Sequence, residues 1–407
     1  MSAIGFPDLD REATLDPEIK PLPGDIDVTK PPRSIFLTGA TGFVAAYILA
    51  ELIDKTQATI YALVRASNEA TGMERIRKNL EHYHLWCPEM AARIKPVAGD
   101  LKQPLFGLPQ VEFDHLAEEI DVIFHVGSKL SYIAPYHFLK DANVGGTQET
   151  LRLATTHRPK PYHFVSSLGI LLNYKKLEGG HEEDELDPEK CPEVGYFQTK
   201  YVAERVVRMA RARGIPVTIH RIGLIVGDSE RGYSNADDFV ARILIGCIQA
   251  GYGPDIRNAM DMTPVDFIAR AIVYLAFQPA SLGHIFHLLN PAPITWGSII
   301  DIVNEAGYPV EKLPFHHWIQ AIEEHANPEE NPLHPLLPFF HISFAGRMLG
   351  INENAYHALG TANTQTALVG SGIQCPPVDE TLINTFLMRF VDAGRLHSAP
   401  QWMTSAP

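Results

Sequence analysis

From Ser34 onward, short apolar runs alternate with longer segments rich in helix formers. Ile35-Phe36-Leu37 reads as a buried parallel strand, and residues 43–52 have the apolar content of a core-facing helix. The β-branched and aromatic run at 59–64 predicts a second strand ending at Arg65. After a helix-forming stretch at 66–94, a third strand at 94–98 leads into Gly99-Asp100-Leu101, and 121–128 predicts a fourth ending in small residues. Asn143-Val144-Gly145-Gly146-Thr147 opens a helix through Leu153, and a fifth strand at 162–165 closes on Ser166-Ser167. A helix begins at 195–204 and continues through Arg205, Arg208, Arg211 and Arg213. A sixth strand at 217–225 follows, then helices at 238–251 and from 263–266 to Leu275, and a last clear strand at 285–289. Thr295 caps a helix from Trp296 to Ala306, and beyond residue 308 the alternation stops. The pattern predicts an α/β protein: a Rossmann-type doubly wound parallel sheet with a smaller, mainly helical C-terminal lobe.

The chemistry begins in the first turn. Strand, glycine turn, helix is the context that gives Gly-x-x-Gly-x-x-Ala meaning; out of that context it is a plain tight turn. Gly39 permits the turn, Gly42 lets backbone approach a pyrophosphate, and Ala45 keeps helix close to strand, with the helix N-terminus facing the diphosphate. The expected cofactor contacts are Thr38, Gly39, Thr41, Gly42, Phe43, Val44, Arg65, Arg75, Asp100, Leu101, Gly127, Ser128, Asn143, Tyr196, Lys200, Gly223 and Leu224. An acid at the end of the second strand would hold a ribose 2′-hydroxyl; Arg65 stands there instead and suits a 2′-phosphate, so NADP is expected over NAD. Arg75 is either a second phosphate ligand or part of a solvated helix face. Asp100 either accepts from the adenine amino group or caps the next turn. Gly127 and Ser128 are small enough for backbone to lie against the cofactor, Asn143 is an internal hydrogen-bonding residue, and His125 is a packed strand residue.

Tyr196 and Lys200, four apart, share a helix face. Downstream of a dinucleotide turn and a strand ending in Ser-Ser, they compose a hydride-transfer site. Lys200 favours the Tyr196 phenolate and holds the nicotinamide ribose; Tyr196 gives its proton to a carbonyl oxygen, and Ser167 supplies a second hydrogen bond. The four arginines after Glu204 are a solvated face or a docking surface for an acidic partner. Organisation follows: residues 1–33, acidic and proline-rich, are a lead-in or linker. Residues 34–290 form the NADP-binding domain, with a substrate-lobe insertion at about 228–262, and 291–407 form the substrate-binding lobe that closes over the cofactor.

Composition narrows the partners. Among 407 residues 45% are hydrophobic, so a sizeable core is expected, and a net charge of −14 argues against nucleic acid or anionic membrane. Cys87, Cys191, Cys247 and Cys375 are scattered without a Cys-x-x-Cys pair, which disfavours a disulfide framework or zinc ribbon and fits a reducing cytoplasm. No apolar run reaches spanning length, no signal peptide is evident, and His316-His317 lacks metal-ligand partners, so no metal is expected.

Thr38-Gly39-Ala40-Thr41-Gly42-Phe43, Leu63-Val64-Arg65, Gly99-Asp100-Leu101, 143–147 and 195–204 resemble the extended short-chain dehydrogenase/reductases. The insert after Arg65, Pro135-Tyr136, Ser-Asn-x-Asp-Asp at 234–238 and Pro264-Val265-Asp266 are similar to the thioester reductase domains that end nonribosomal peptide synthetases, and to carboxylic acid and aminoadipate reductases. The resemblance covers about 34–300, and Leu15-Asp16-Pro17-Glu18-Ile19 resembles the linker after a carrier domain. It implies that a phosphopantetheine-bound acyl or peptidyl thioester receives hydride from NADPH. Tyr196 and Ser167 stabilise the oxyanion, and the thiohemiacetal collapses to aldehyde and thiol; a second round gives alcohol. It implies an upstream carrier as partner, a monomer, and an acyl pocket along 130–136, 168–174, 228–262 and the C-terminal lobe. The chain departs from the family pattern at Ala45 (usually Gly), Ser167 (usually Thr), Ile222 (usually Pro) and Gly127-Ser128 (usually Gly-Ala). The competing readings are a nucleotide-sugar epimerase or dehydratase, a free acyl-CoA reductase, and a non-catalytic NADP-sensing module.

Overall fold

A computed structural model describes residues 7–24, 26–173, 180–235, 239–257, 259–341 and 359–399. Seven strands, β1 Ser34–Thr38, β2 Thr59–Val64, β3 Ile94–Ala98, β4 Val122–His125, β5 Tyr162–Ser167, β6 Val217–Ile222 and β7 Ile285–Leu288, form one sheet in the order β7-β6-β5-β4-β1-β2-β3. Every neighbouring pair is parallel. That requires crossover helices on both faces, which is why β1 is buried along its whole length and reads as a continuous apolar run.

Helices α1 Phe43–Lys55, α2 Glu69–His82 and α7 Val265–Ala276 lie on one side, with Ile48, Leu52, Ile268 and Ile272 packed against Ile35 and Leu37. On the other lie α3 Gln110–Glu119, α4 Gly146–Ala154 and α5 Gly195–Ala212, whose Phe113, Leu151, Val206 and Val207 meet Phe36 and Phe164. Each fully buried side chain of this size contributes about 1.5–3 kcal/mol, so the two layers fix the sheet. A third core joins α6 Phe239–Ala250, α8 Trp296–Glu305, α9 Phe315–His325 and α10 Glu380–Asp392 around Trp296, Trp318, Phe340 and Phe386. Thr295 caps α8 by accepting from the Ser298 N–H.

Because β1 pairs with β2 on one side and β4 on the other, strand order reverses there, and a crevice opens beyond the carboxyl ends of these strands.

Four elements differ from the sequence-based expectation. The predicted strand 217–225 stops at Ile222; Ile225–Val226 leaves the sheet and pairs with Thr263–Pro264. The helix expected to open at Asn143 is preceded by a wide π turn, Asp141–Gly145. The segment Ala362–Leu368, expected in the lobe, returns to the sheet edge, where Asn363 donates to the Ile285 carbonyl at 3.0 Å. The lead-in is docked rather than loose: Leu9, Ala13, Leu15 and Ile19 are buried. The Arg213 guanidinium donates to the carbonyls of Leu15, Asp16 and Ile19, and Arg152 pairs with Asp16 at 2.6 Å. Its anchors are spaced irregularly between prolines, so no periodicity marks them. Of the arginines after Glu204, Arg213 is exposed and Arg208 is buried, and each of the four is engaged within the chain. Arg205 pairs with Asp10 and Glu185, Arg208 with Glu204, and Arg211 with Glu183.

Candidate active site

A cavity of about 590 Å³ occupies the crevice. Gly39, Thr41, Gly42, Phe43 and Val44 from the first turn line it, as do Arg65, Asp100, Leu101, Gly127, Ser128, Ser167, Tyr196, Lys200, Gly223 and Leu224. The fit to a dinucleotide rests on two features. Gly39 has φ +81°, and a Cβ there would come to 2.7 Å of the Gly127 Cα, so the turn stays open only with glycine. Gly42, at the N-cap of α1, offers no side-chain cap, leaving the first-turn amides to an anion in the cavity. Arg65, exposed at the end of β2, is the cation beside them.

Three expected contacts do not line the cavity. Thr38 is buried beneath it: its Oγ1 accepts from the Gly127 N–H at 2.9 Å and meets His125 Nδ1 at 2.8 Å. Arg75 donates to the Arg65 carbonyl and so braces the end of β2. Asn143 spends its amide within the protein. Its Oδ1 accepts from the Lys129 N–H at 2.6 Å, and its Nδ2 donates to the Lys129 carbonyl at 3.0 Å and to Thr199 Oγ1 at 2.8 Å. Asp100 lines the cavity and also takes the capping role, accepting from the Lys102 N–H at 3.0 Å. His125 is the packed residue expected; burial lowers its imidazole to about 3.

The hydroxyl of Ser167 accepts from the Gly169 N–H at 3.0 Å, which leaves its own hydrogen for an acceptor in the cavity. Lys200 Nζ donates to the Val165 carbonyl at 2.7 Å and stands 5.0 Å from the Phe164 ring centre. Burial lowers the Lys200 ammonium to about 8 against the pull of Glu204. The Tyr196 phenol is not acidified as the sequence suggested. Burial raises it to about 12, and a hydrogen bond with the Ser128 hydroxyl works in the other direction.

Two buried anions beneath the site escape a sequence reading. Glu204 takes three hydrogen bonds from the Arg221 guanidinium, one from Arg208, and one from Ser166 at 2.6 Å. Burial would raise its carboxyl, but Arg221 and Arg208 outweigh that and bring it down to about 2. Asp261 accepts from the Leu224 and Asn290 N–H groups and from Thr263 Oγ1, so it pins the loop at Gly223; a Cβ on Gly223 would overlap its Oδ2. A carboxylate one turn past a Tyr-x-x-x-Lys pair was the only signal for Glu204, and Asp261 had none.

The apolar end of the cavity is formed by Leu130, Tyr132, Leu172, Phe197 and Phe239, with Gly169 and Asn235. No described residue beyond Phe239 lines it, so the lobe acts from behind: Phe339 packs on Tyr132 and Phe239, with ring centres 5.4 and 5.7 Å away. Tyr174 and 236–238, also expected here, lie outside the described residues. Among the described residues no cluster of His, Cys, Asp and Glu could hold a metal ion, and no helix is long and apolar enough to cross a membrane.

A reversed parallel sheet, an uncapped helix over a glycine turn, and a Ser, Tyr and Lys in one cavity define a dinucleotide-binding reductase of the Rossmann type. Comparison with known proteins agrees. The chain belongs to the NAD-binding family described as male sterility protein, matched over residues 37–272, and within it to the terminal reductase (R) domains. It is 41% identical to the terminal R domain of the myxalamid polyketide and nonribosomal peptide pathway, with a TM-score of 0.89 over 96% of this chain and 98% of that one. The nonribosomal peptide synthetase R domain from Mycobacterium tuberculosis is 26% identical, with a TM-score of 0.75 over 96% and 97%. A linear gramicidin synthase polypeptide of Brevibacillus parabrevis is 38% identical over 393 residues, 95% of this chain; the chain spans only 8% of that protein.

Proposed function

We propose that this chain is an NADPH-dependent thioester reductase that releases an acyl or peptidyl chain, held on the phosphopantetheine arm of a carrier domain, as an aldehyde. The observation that carries the reading is the convergence of Ser167, Tyr196 and Lys200 on one cavity with the first glycine turn. When bound, NADPH supplies a hydride to the thioester carbonyl carbon. In this reading the amides after Gly42 hold the diphosphate, Arg65 holds the 2′-phosphate, and Lys200 holds the ribose next to the nicotinamide. Tyr196 and Ser167 hydrogen-bond the carbonyl oxygen as charge develops on it, and Tyr196 gives up its proton there. The carbon–sulfur bond of the thiohemiacetal then breaks, leaving aldehyde and thiol. Tyr132, Leu172 and Phe239 shelter the acyl chain from water, and residues 291–407 serve as the substrate side, bracing these rings. Arg65, in place of an acid, argues against an NAD-linked nucleotide-sugar epimerase.

The test is NADPH consumption with an acyl-phosphopantetheine thioester, with NADH and a nucleotide sugar as controls. Turnover that yields aldehyde and falls about 10²–10⁴-fold in Tyr196→Phe is expected. Sugar conversion with no thioester turnover would overturn the reading.

A further inference from the structure

Helix α2, which follows Arg65, holds backbone at two places along the cavity rim. It is seated directly on the sheet: Ile76 and Leu80 are buried, and a Cβ on Gly72 would come to 2.8 Å of the Val64 side chain and 2.9 Å of Pro96. Arg75 and Asn79, four apart, project from one face of this helix. Arg75 donates to the Arg65 carbonyl. Asn79 Nδ2 donates to the carbonyls of Ala40 and Gly42, each at 3.2 Å, across the turn between β1 and α1. In a trans peptide the carbonyl and the N–H that follows it point in opposite directions. Holding the Ala40 and Gly42 carbonyls toward α2 therefore turns the Thr41 and Phe43 amides away from it. Both residues line the cavity, and among the described residues neither amide has an acceptor. The Gly42 N–H, by contrast, is taken up within the turn by the Gly39 carbonyl at 2.7 Å.

We propose that Asn79 is a positioning residue for cofactor binding, aiming the Thr41 and Phe43 amides at the diphosphate, while Arg75 on the same helix face positions Arg65 for the 2′-phosphate. This role rests on the NADPH reading and deepens it. A turn built on Gly39 and Gly42 has several backbone states open to it, and only some present both amides to one anion. A primary amide selects among them, because it carries two N–H donors, one for each carbonyl, and no charge of its own. An aspartate at this position has no hydrogen to give and repels both carbonyls. The diphosphate is common to NADP and NAD, whereas the 2′-phosphate belongs to NADP alone. Two side chains on one helix face thus act on separable parts of the ligand. The insert after Arg65 thereby has a task at the site, although neither Arg75 nor Asn79 lines the cavity.

Ligand binding to the full chain, measured by titration calorimetry with no thioester present, tests this. Asn79→Ala should weaken NADP⁺ and NAD⁺ by the same factor, about tenfold, and leave 2′-AMP, which has no diphosphate, unchanged. Asn79→Asp, of the same size, should bind both dinucleotides no better than Asn79→Ala. Arg75→Ala should give the mirror pattern, with NADP⁺ and 2′-AMP weakened about threefold and NAD⁺ unchanged. General damage to the fold would weaken all three ligands together, so the opposite behaviour of NAD⁺ and 2′-AMP in the two variants separates positioning from mere stability. Wild-type binding that Asn79→Ala leaves unchanged or weakens together with 2′-AMP, or full affinity in Asn79→Asp, would overturn the proposal alone. A wild-type chain that binds neither dinucleotide would remove the cofactor reading itself, and the role of Asn79 with it.

Discussion

The ammonium of Lys200 donates to the main-chain carbonyl of Val165, at 2.7 Å, two residues before Ser167. One bond thus registers helix α5 against strand β5 and sets Lys200 close to the hydroxyl that shares its task. The same burial lowers Lys200 to about 8. Below that pH the side chain is a cation able to hold a ribose hydroxyl and to stabilise charge on Tyr196; above it the fraction charged falls. Thioester reduction should therefore decline as pH rises through about 8, a limb absent from any lysine that keeps its ordinary value. A pH profile of kcat/KM checks this, and Lys200→Met should remove the limb together with about 10²-fold of the rate. A wild-type profile flat through that range would rule out a titrating Lys200.

Asn143 makes three hydrogen bonds across two elements, the one to Thr199 buried and the two to the Lys129 main chain part-buried, and no isostere without an amide replaces them. Asn143→Ala leaves the Lys129 main chain and the Thr199 hydroxyl without these partners, at about 1–3 kcal/mol for each unsatisfied buried group. Loss of about 1–3 kcal/mol, mostly from the buried Thr199 bond, is expected by denaturant titration. Asn143→Asp should do nearly as badly, since a carboxylate accepts but cannot donate to Thr199 and Lys129. Were Asn143 an exposed cofactor ligand instead, stability would be unchanged and only NADPH affinity would fall.

These relationships mark where the sequence stopped being legible. The turn from β1 to α1 is specified by residues within ten positions of one another, and Gly39, Gly42 and the apolar runs around them suffice to read it. Tyr196 and Lys200 are likewise local, one helical turn apart. The Glu204 network is built from Ser166, Arg208 and Arg221, which lie on two strands and one helix and meet only once the sheet is assembled. Asp261 is pinned by Leu224 and Asn290 in the same non-local way. The direction expected for Tyr196 failed for a related reason: spacing shows that a lysine is near, but the burial that raises the phenol, and the Lys200 bond to the Val165 carbonyl, belong to the packed structure.

The Glu204 and Arg221 side chains are both fully buried and 2.6 Å apart. Pairs of this kind contribute little beyond an apolar substitute, yet breaking one leaves a charge stranded in the interior. Glu204→Gln removes the anion beneath two buried arginines and should cost about 3–5 kcal/mol, read as a fall in denaturant midpoint. Arg221→Met alone should be comparably damaging. The double variant should be milder than the sum, because no unpaired charge remains on either side of that contact. Strict additivity would mean that the pair is not coupled.

Arg65 lines the cavity with its backbone braced by Arg75, and in the proposed reading it meets the 2′-phosphate. Charge-assisted hydrogen bonds to such a group are worth about 1.5–3 kcal/mol. Arg65→Ala should therefore raise the KM for NADPH about 10–100-fold and leave that for NADH nearly unchanged. Arg75→Ala should have a smaller effect on the same parameter, since it acts on the Arg65 backbone. Equal losses for both cofactors would remove the case for NADP preference.

Four histidines in the interior make the fold sensitive to mild acid. His125 and His163 are pushed down to about 3 by burial; His220 is lowered well below the ordinary value by burial and by His163 beside it, and His287 by burial and by the Arg221 and Arg208 cations. Neither ring nitrogen of His163 or of His220 has a hydrogen-bond partner. In the unfolded chain each titrates near its ordinary 6.5. As pH falls below 6.5 the unfolded chain takes up protons that the folded chain refuses, so stability falls by up to about 1.4 kcal/mol per pH unit for each histidine. Asp261 acts in the opposite sense: burial raises it to about 6, so the folded state gains a proton there and offsets about one of the four below that pH. Between pH 6.5 and about 5, above the range of ordinary carboxylates, the denaturant midpoint should drop steeply. His163→Phe, which keeps the apolar packing against Phe124, should retain the fold and flatten that slope by up to one histidine's share. A slope identical in wild type and variant would show that His163 takes up its proton in the folded state as readily as in the unfolded one.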